Sequence, residues 1–275
     1  MLKQAMGGIL TEAEAEELYG AFDQIGNIII LRIPDSLLPK SKIIGEVLLE
    51  KVKTAKSVFC QSSPVEGDFR IRKLDLLAGE DKTETEYKEH GCRFKVDVEK
   101  TFFSPRLSTE RERIAELIND GEVIINMFGG VGMFSIVAAK KKRCHVYNID
   151  INPDAARLCS ENILLNKLKG TVESIEGDAQ KIIQEKLLGT GDRILMLLPE
   201  RSDEFLISAI EAAKKKATIH YYCHIHSEKK EYVSSLASQH FQSVVGVESK
   251  ILGAKIVRPI GPRFYQAVVD ATISK

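Results

Sequence analysis

The chain has 275 residues, enough for one large or two modest domains with a buried core, and its 44% hydrophobic and 28% charged content excludes a disordered or collagen-like protein. Lys+Arg 39 balances Asp+Glu 39, so global charge announces no nucleic-acid partner and any basic surface must be local. The sequence has no run of about 18 apolar residues and no charged-then-apolar leader, which excludes a membrane span and points to a cytoplasmic protein. Cys60, Cys92, Cys144, Cys159 and Cys223 are odd in number and dispersed; they read as buried thiols in a reducing compartment, not as a disulfide or zinc framework.

Residues 1–20 are an acidic, helical lead-in, with Glu12, Glu14, Glu16 and Glu17 on a solvated face. From Phe22 to Ile33 the chain is strand-like, with Gly26-Asn27 as a hairpin turn. Pro34 to Pro39 is a break, Ile43 to Val52 has helical spacing, and Ser57 to Gln61 resumes a strand. Basic and apolar residues alternate in Phe69 to Leu74, and strands come next at Thr83 to Lys88 and Cys92 to Val98. Residues 21–100 thus form a small α+β domain, distinct in pattern from residues 101–275. Arg106 to Ile118 is the connecting helix, capped near Ser108 or Thr109.

In E-V-I-I-N-M-F-G-G-V-G-M-F-S-I-V-A-A-K, residues 122–140, an apolar strand runs into Gly129, Gly130 and Gly132 and restarts as a helix over Phe134 to Ala139. Glycines let a ligand approach the backbone, and the free amides of a helix's first turn favour polar or anionic groups. The loop reads G-G-x-G, neither the dinucleotide fingerprint nor a phosphate loop, so a plain tight turn is the competing reading. The strand ends downstream of the loop favour a nucleoside site. Strand His145 to Ile149 ends in Asp150, about 20 residues past the glycines, where doubly wound folds place a carboxylate on a ribose. Asn152-Pro153-Asp154 starts a helix over Ala155 to Leu165, strand Val172 to Ile175 ends in Gly177-Asp178-Ala179, and strand Arg193 to Leu198 ends in Leu197-Leu198-Pro199. Parallel strands whose tips carry Gly, Asp, Asp and a Pro turn line one crevice, where ligands bind.

Further on, His220, His224 and His226 share one face of the strand Ile219 to His226; a metal site and ordinary packing are both open there. Lys140-Lys141-Lys142-Arg143 and Lys214-Lys215-Lys216 read as solvated helix ends, with phosphate binding as the sharper alternative.

Several of these runs resemble the tRNA (guanine-37-N1) methyltransferase family of archaea and eukaryotes. They are V-E-G-x-F-R-x-R-K-L from Val65, L-A-G-E-D-K-T-E-T from Leu77, F-S-P-R-L-S-T-E-R from Phe103, M-F-G-G-V-G from Met127 and I-D-I-N-P-D from Ile149. The resemblance covers roughly residues 20–275 and implies an α/β fold: a Rossmann-like class I methyltransferase domain preceded by a small α+β RNA-recognition domain. It implies methyl transfer from S-adenosylmethionine to the purine 3′ of the anticodon, by a monomer that grips the anticodon arm of tRNA.

Position by position, the resemblance places Phe102, Arg111, Phe128, Gly129, Gly130, Gly132, Asp150, Ile151, Pro153, Asp178 and Ala179 at the cofactor, with Asp150 on the ribose and Asp178 near the adenine. It makes Glu110 the candidate general base, with Arg70 and Pro199 beside it in the catalytic set. Arg70, Arg106, Leu197, Leu198 and Arg263 are placed on the substrate, with Tyr265 a further tRNA-contact candidate. Guanine N1 carries a proton, so its methylation needs a carboxylate to remove it and a cation to steady charge growing on O6. The target base must leave its stack, and Phe102, Phe103 and the Leu197-Leu198-Pro199 turn are candidate walls for it. The plain reading of Glu110 and Arg111 is a solvated pair on a helix's first turn.

Two departures from the family pattern stand out. Leu197 occupies a position where the family places an Asn that holds the base, and a hydrocarbon cannot donate to a base edge. An archaeal branch that is also apolar there methylates C7 of the wyosine precursor 4-demethylwyosine, so that reaction is the alternative to N1 methylation. A catalytically silent tRNA-binding protein is the alternative from another class. The lead-in of 20 residues is, secondly, too short to build the family's extra N-terminal domain, which touches the tRNA elbow. Asn126, where the family favours an acid, still offers an acceptor.

Overall fold

Gly26 sits in the left-handed region (φ 55°), and the turn it makes with Asn27 joins β1 (Phe22–Ile25) to β2 (Ile28–Leu31) as an antiparallel hairpin, as the sequence predicts. The structure is a computed structural model that describes residues 6–64 and 67–275. Met1 to Ala5 of the lead-in, and Val65 and Glu66 of the first resembling run, lie outside the described residues. The chain divides into two units, Met1–Arg106 and Leu107–Lys275.

In the first unit, helix α1 (Glu12–Glu17) is fixed by a capping box in which Thr11 and Glu14 satisfy each other's backbone N–H groups. A sheet in the order β1-β2-β3-β4 comes next, with β3 at Ser57–Gln61 and β4 at Leu74–Gly79. Helix α2 (Ser41–Lys51) supplies the parallel crossover from β2 to β3 and buries Ile44 and Leu48 against Ile29, Leu31 and Val58. β5 (Glu84–Glu89) and β6 (Cys92–Asp97) form a separate hairpin. The basic-apolar alternation at Phe69 to Leu74 is not a strand: Arg70 has φ 53°, and its N–H donates to Gly67 O at 3.0 Å, so the segment turns and β4 starts only at Leu74.

The second unit begins with α3 (Ser108–Leu117), continuous with a short 3₁₀ turn at Pro105–Leu107. Its N-cap is Leu107, with no side-chain capping bond, so the cap expected near Ser108 or Thr109 is displaced: a helix entered from a 3₁₀ turn already satisfies its first amides locally. Next along the chain come β7 (Val123–Asn126), α4 (Met133–Lys141), β8 (His145–Asp150), α5 (Pro153–Leu164), β9 (Thr171–Glu176), α6 (Ala179–Ile182), β10 (Gly191–Met196) and α7 (Ser202–Ala212). The chain ends with β11 (Ala213–His226), α8 (Val233–Val244), β12 (Glu248–Gly261) and β13 (Phe264–Ser274).

The strands make one seven-stranded sheet in the order β12-β13-β11-β10-β7-β8-β9. Neighbours from β11 to β9 pair parallel, and β13 is antiparallel to both β11 and β12. The chain winds outward from β7 to β9 and then returns to β10 on the other side of β7, so the carboxyl end of β7 lies at a topological switch point. Helix α4 is buried from Met133 to Ala139. Ile125, Ile194, Ile219 and Val269 build the core with Phe205 of α7 and Phe241 of α8.

The Lys214-Lys215-Lys216 run is not a helix end. Helix α7 stops at Ala212, and the three lysines open β11, where the Lys214 ammonium meets Asp192 at 2.8 Å. All five cysteines are buried free thiols, and among the described residues no helix is long and apolar enough to cross a membrane.

Candidate active site

The loop after β7 is pinned at three points: Met127 N–H donates to Leu195 O (3.1 Å), Gly129 N–H to Ile149 O (2.7 Å) and Gly132 N–H to Gly129 O (3.0 Å). Gly130 (φ 54°) and Gly132 (φ 88°) hold left-handed backbone, which side chains resist, and a Cβ on Gly129 would fall 2.1 Å from the Asn148 side chain. The Phe128 ring packs edge-on against Phe205 at 4.9 Å.

Asp150 closes the loop. Its Oδ2 accepts from Gly130 N–H (2.6 Å) and its Oδ1 from Asn152 N–H (2.9 Å), which leaves a lone pair on each oxygen for a hydroxyl pair. Burial pushes its carboxyl up, against the pull of the two amides. Pro153 and the Asn152 cap start α5 directly after it, and Ile151 beside it is 43% exposed. Gly177 N–H donates to Asp150 O (2.9 Å), which ties the tips of β8 and β9. Asp178 therefore stands at the same edge as Asp150; one of its oxygens caps Lys181 N–H, with Ala179 buried next to it.

Asn126, at the tip of β7, donates to Ser135 Oγ (3.1 Å), which donates in turn to Asn148 Oδ1 (2.6 Å). Its own Oδ1 is buried without a partner among the described residues. An orphaned acceptor costs free energy unless a donor meets it, so a ligand with a cationic or N–H group is expected there. A ribose diol for Asp150, an amine for Asp178 and an ammonium for Asn126 are the groups S-adenosylmethionine carries, so the residues present fit that cofactor.

Glu110 and Arg111, on the first turn of α3, are only 4% and 2% exposed, so the reading of a solvated pair fails. The Arg111 guanidinium lies 5.8 Å from the Phe134 ring centre, at the start of α4. Glu110 is saturated. Its Oε1 accepts from Tyr222 Oη–H (2.6 Å) and Arg113 Nη2 (2.6 Å), and its Oε2 from Arg113 Nε (2.9 Å) and the Lys255 ammonium (3.0 Å). Burial alone would raise its carboxyl, but Arg113, Tyr222 and Lys255 overcome that and hold it below the usual range. It is ionised at neutral pH.

Behind it a charge ladder runs down the same face of the sheet. Arg113 bridges Glu110 to Asp270 (2.5 Å), Asp270 accepts from His220 Nδ1 (2.6 Å), His220 Nε2 accepts from Arg193 (2.6 Å), and Arg193 clamps Glu122 (2.7 and 3.0 Å). Burial depresses His220, which stays neutral, while the His220 hydrogen bond and Arg113 offset the burial of Asp270 and hold it at about 2. His220 thus serves protein partners, and no metal-holding cluster occurs among the described residues. Sequence reasoning missed Arg113, Tyr222, Lys255 and Asp270. One signal was present: Asp270 interrupts the apolar run A-V-V-D-A, and an acid inside a buried strand needs a cation nearby.

Leu197, Leu198 and Pro199 come directly after β10 at the same carboxyl edge, and Leu198 O accepts from Ser202 Oγ (2.9 Å), which fixes the turn. Arg263 occupies the tight turn between β12 and β13 (φ 58°) and pairs with Glu228 at 2.7 Å; Tyr265, on β13, is half-buried. Lys141 ends α4 in an ion pair with Glu112 at 2.8 Å.

The first unit holds the other candidates. There the Arg70 guanidinium lies over the Phe102 ring at 4.5 Å, and Arg106 pairs with Asp23 at 3.0 Å. Phe103 is not a wall for a base; it is buried edge-on against Tyr87 at 4.9 Å.

A seven-stranded sheet with one antiparallel strand, a glycine loop at the switch point and carboxylates at the next two strand tips defines an S-adenosylmethionine-dependent α/β methyltransferase. The TRM5/TYW2 methyltransferase domain model matches residues 85–245, and the TYW2 N-terminal domain model matches residues 2–83. The chain belongs to the TRM5/TYW2 methyltransferase family. It is 41% identical to tRNA (guanine(37)-N(1))-methyltransferase Trm5b of Pyrococcus abyssi, over 92% of this chain and 75% of that protein. It is 36% identical to tRNA 4-demethylwyosine(37)-methyltransferase Taw21 of Saccharolobus solfataricus, over 94% of this chain and 95% of that one. The crystal structure of Trm5b from Pyrococcus abyssi superposes with a TM-score of 0.85 at 38% identity, covering 97% of this chain and 79% of that chain. TYW2 of P. horikoshii in complex with MeSAdo superposes with a TM-score of 0.75 at 26% identity, covering 100% and 98%.

Proposed function

We propose that this chain transfers the methyl group of S-adenosylmethionine to N1 of guanine 37, the purine 3′ of the anticodon, acting in the cytoplasm as a monomer on the anticodon arm of tRNA. The reading rests on the buried, ionised Glu110, together with the glycine loop and the Asp150 carboxylate that suit the cofactor. Residues 21–100 are the proposed tRNA-recognition part and residues 101–275 the methyltransferase part. Asp150 would hold the ribose, Asp178 the adenine and Asn126 the ammonium end, with Phe128, the loop glycines, Ile151, Pro153, Ala179 and Arg111 as the further proposed cofactor contacts of the second unit; Phe102 is proposed on the resemblance alone. The sulfonium supplies an already activated methyl group, so the protein's task is alignment and proton management.

Glu110 accepts the N1 proton. Its basicity is depressed, but N1 becomes strongly acidic as its bond to carbon forms, so an ionised carboxylate suffices. Arg70 is the cation proposed for the O6 edge, Leu197, Leu198 and Pro199 form an apolar wall, and Arg106 and Arg263 are proposed phosphate contacts.

Leu197 favours a second reading. A wall that cannot donate suits the larger tricyclic base, and methylation at C7 of 4-demethylwyosine uses the same cofactor residues. The deciding experiment incubates the protein with labelled S-adenosylmethionine and tRNA carrying either guanosine or 4-demethylwyosine at position 37, with nucleoside analysis of the product. N1-methylguanosine is expected; its absence beside a methylated precursor would replace the first reading with the second.

A further inference from the structure

Glu110 is held by three partners of unequal kind. Arg113 makes two of its four bonds and is itself locked by Asp270. Tyr222 is fully buried and donates its hydroxyl to Glu110. Lys255 comes from β12, the edge strand of the sheet, and its side chain is 43% exposed. Register explains how it reaches the carboxylate: Tyr222 and Lys255 both pair with Val268 of β13, so the three side chains form one row across the sheet, and Asp270 with His220 forms the next. One lone pair of Oε2 is therefore covered by a group that can swing into water, while the other acceptor positions are covered by the buried Tyr222 and by Arg113, which is less exposed and tied to Asp270.

We propose that Lys255 is a positioning residue that covers the proton-accepting lone pair of Glu110 in the free protein and gives it up when a phosphate of the bound RNA draws its ammonium away. The inference rests on the reading of Glu110 as the base. Proton acceptance needs an open lone pair, and a carboxylate with four donors has none left in its plane. An ammonium on a side chain that is 43% exposed exchanges partners readily, because water screens its pairing with the carboxylate and solvates it on leaving. An RNA phosphate is an anion of equal charge that brings its own favourable release of counter-ions. The exchange leaves Glu110 with Arg113 and Tyr222, enough to hold its orientation, and removes one of the two cations that oppose protonation of Oε2. The groups facing Glu110 are then Arg113 from α3, Tyr222 from β11 and, through Arg113, Asp270 from β13. RNA engagement thus arms the base, which stays masked toward solvent until substrate is present.

The test compares the wild type with Lys255→Met, which keeps the apolar stem, and Lys255→Arg. The acid limb of kcat/KM reports the free protein and should move to higher pH in Lys255→Met, because Glu110 has lost a cation. The acid limb of the single-turnover rate at saturating tRNA reports the complex and should coincide in the two proteins, because Lys255 has already left. The dependence of log Kd for tRNA on log salt should flatten by about one in Lys255→Met and recover in Lys255→Arg. Equal shifts of both limbs, or an unchanged salt slope, would overturn the exchange. Circular dichroism and the thermal midpoint establish that each variant is folded. A Glu110→Gln protein with an undiminished single-turnover rate would instead remove the underlying role of Glu110, whatever Lys255 does.

Discussion

Asp270→Asn removes the charge at the centre of the ladder while keeping its shape. The carboxyl is held at about 2 against an ordinary 3.8. At about 1.36 kcal/mol per pH unit, that difference makes the ionised form worth roughly 2 kcal/mol to the folded state at neutral pH. The amide resembles the protonated acid: it still accepts from His220 Nδ1–H but leaves Arg113 with Glu110 as its one anion. The expected loss in urea unfolding is therefore about 2 to 3 kcal/mol at pH 7, monitored by far-UV circular dichroism because the chain has Trp 0. The sign comes from a folded value below the unfolded one: the stabilisation is fully present above about 3.8 and is lost as pH falls toward about 2. The gap between the two proteins should thus be constant from about pH 5.5 to 7.5 and close only in acid. A loss under about 0.5 kcal/mol at pH 7, or a gap that shrinks between pH 7.5 and 5.5, would refute the account of Asp270 as a buried counter-ion.

The same geometry carries other expectations. Glu110→Gln should slow single-turnover methylation by about 10²- to 10⁴-fold while thermal stabilisation by S-adenosylmethionine persists, and an unchanged rate would remove Glu110 as the base. In Gly129→Ala, the new Cβ would sit 2.1 Å from an Asn148 side chain already bonded to Ser135 and Gly130, so about 1 to 3 kcal/mol of stability and much cofactor affinity should go together; calorimetry with S-adenosylhomocysteine reads both. Leu197→Asn should raise turnover of guanosine-37 tRNA relative to 4-demethylwyosine tRNA by about tenfold, the worth of roughly one hydrogen bond to a base edge. A ratio moved the other way would show that the apolar wall does not set the choice of base.

Wherever the physics is local, the order of elements was already legible in the amino acids. Gly26-Asn27 specified a hairpin, Asn152-Pro153 specified a helix start, and the apolar strands that end in glycine, Asp150 and Asp178 specified one edge of a parallel sheet, because turn chemistry and side-chain period depend on a few neighbouring residues. Local signals also misled. Three successive lysines after Ala212 read as a helix end, yet they open a strand, since pairing with β10 and β13 outweighs propensity. The surroundings of Glu110 belong to the tertiary structure alone. Arg113 lies three residues away on the same helix turn, but Tyr222 and Lys255, which touch Glu110, and Asp270, which reaches it through Arg113, are more than a hundred residues distant in the chain and gather there only because β11, β13 and β12 align in register. A sequence can name a carboxylate and the kind of chemistry it suits. Its burial, the number of donors it carries and the one partner it can release are long-range facts, fixed when distant strands pack and water is excluded between them.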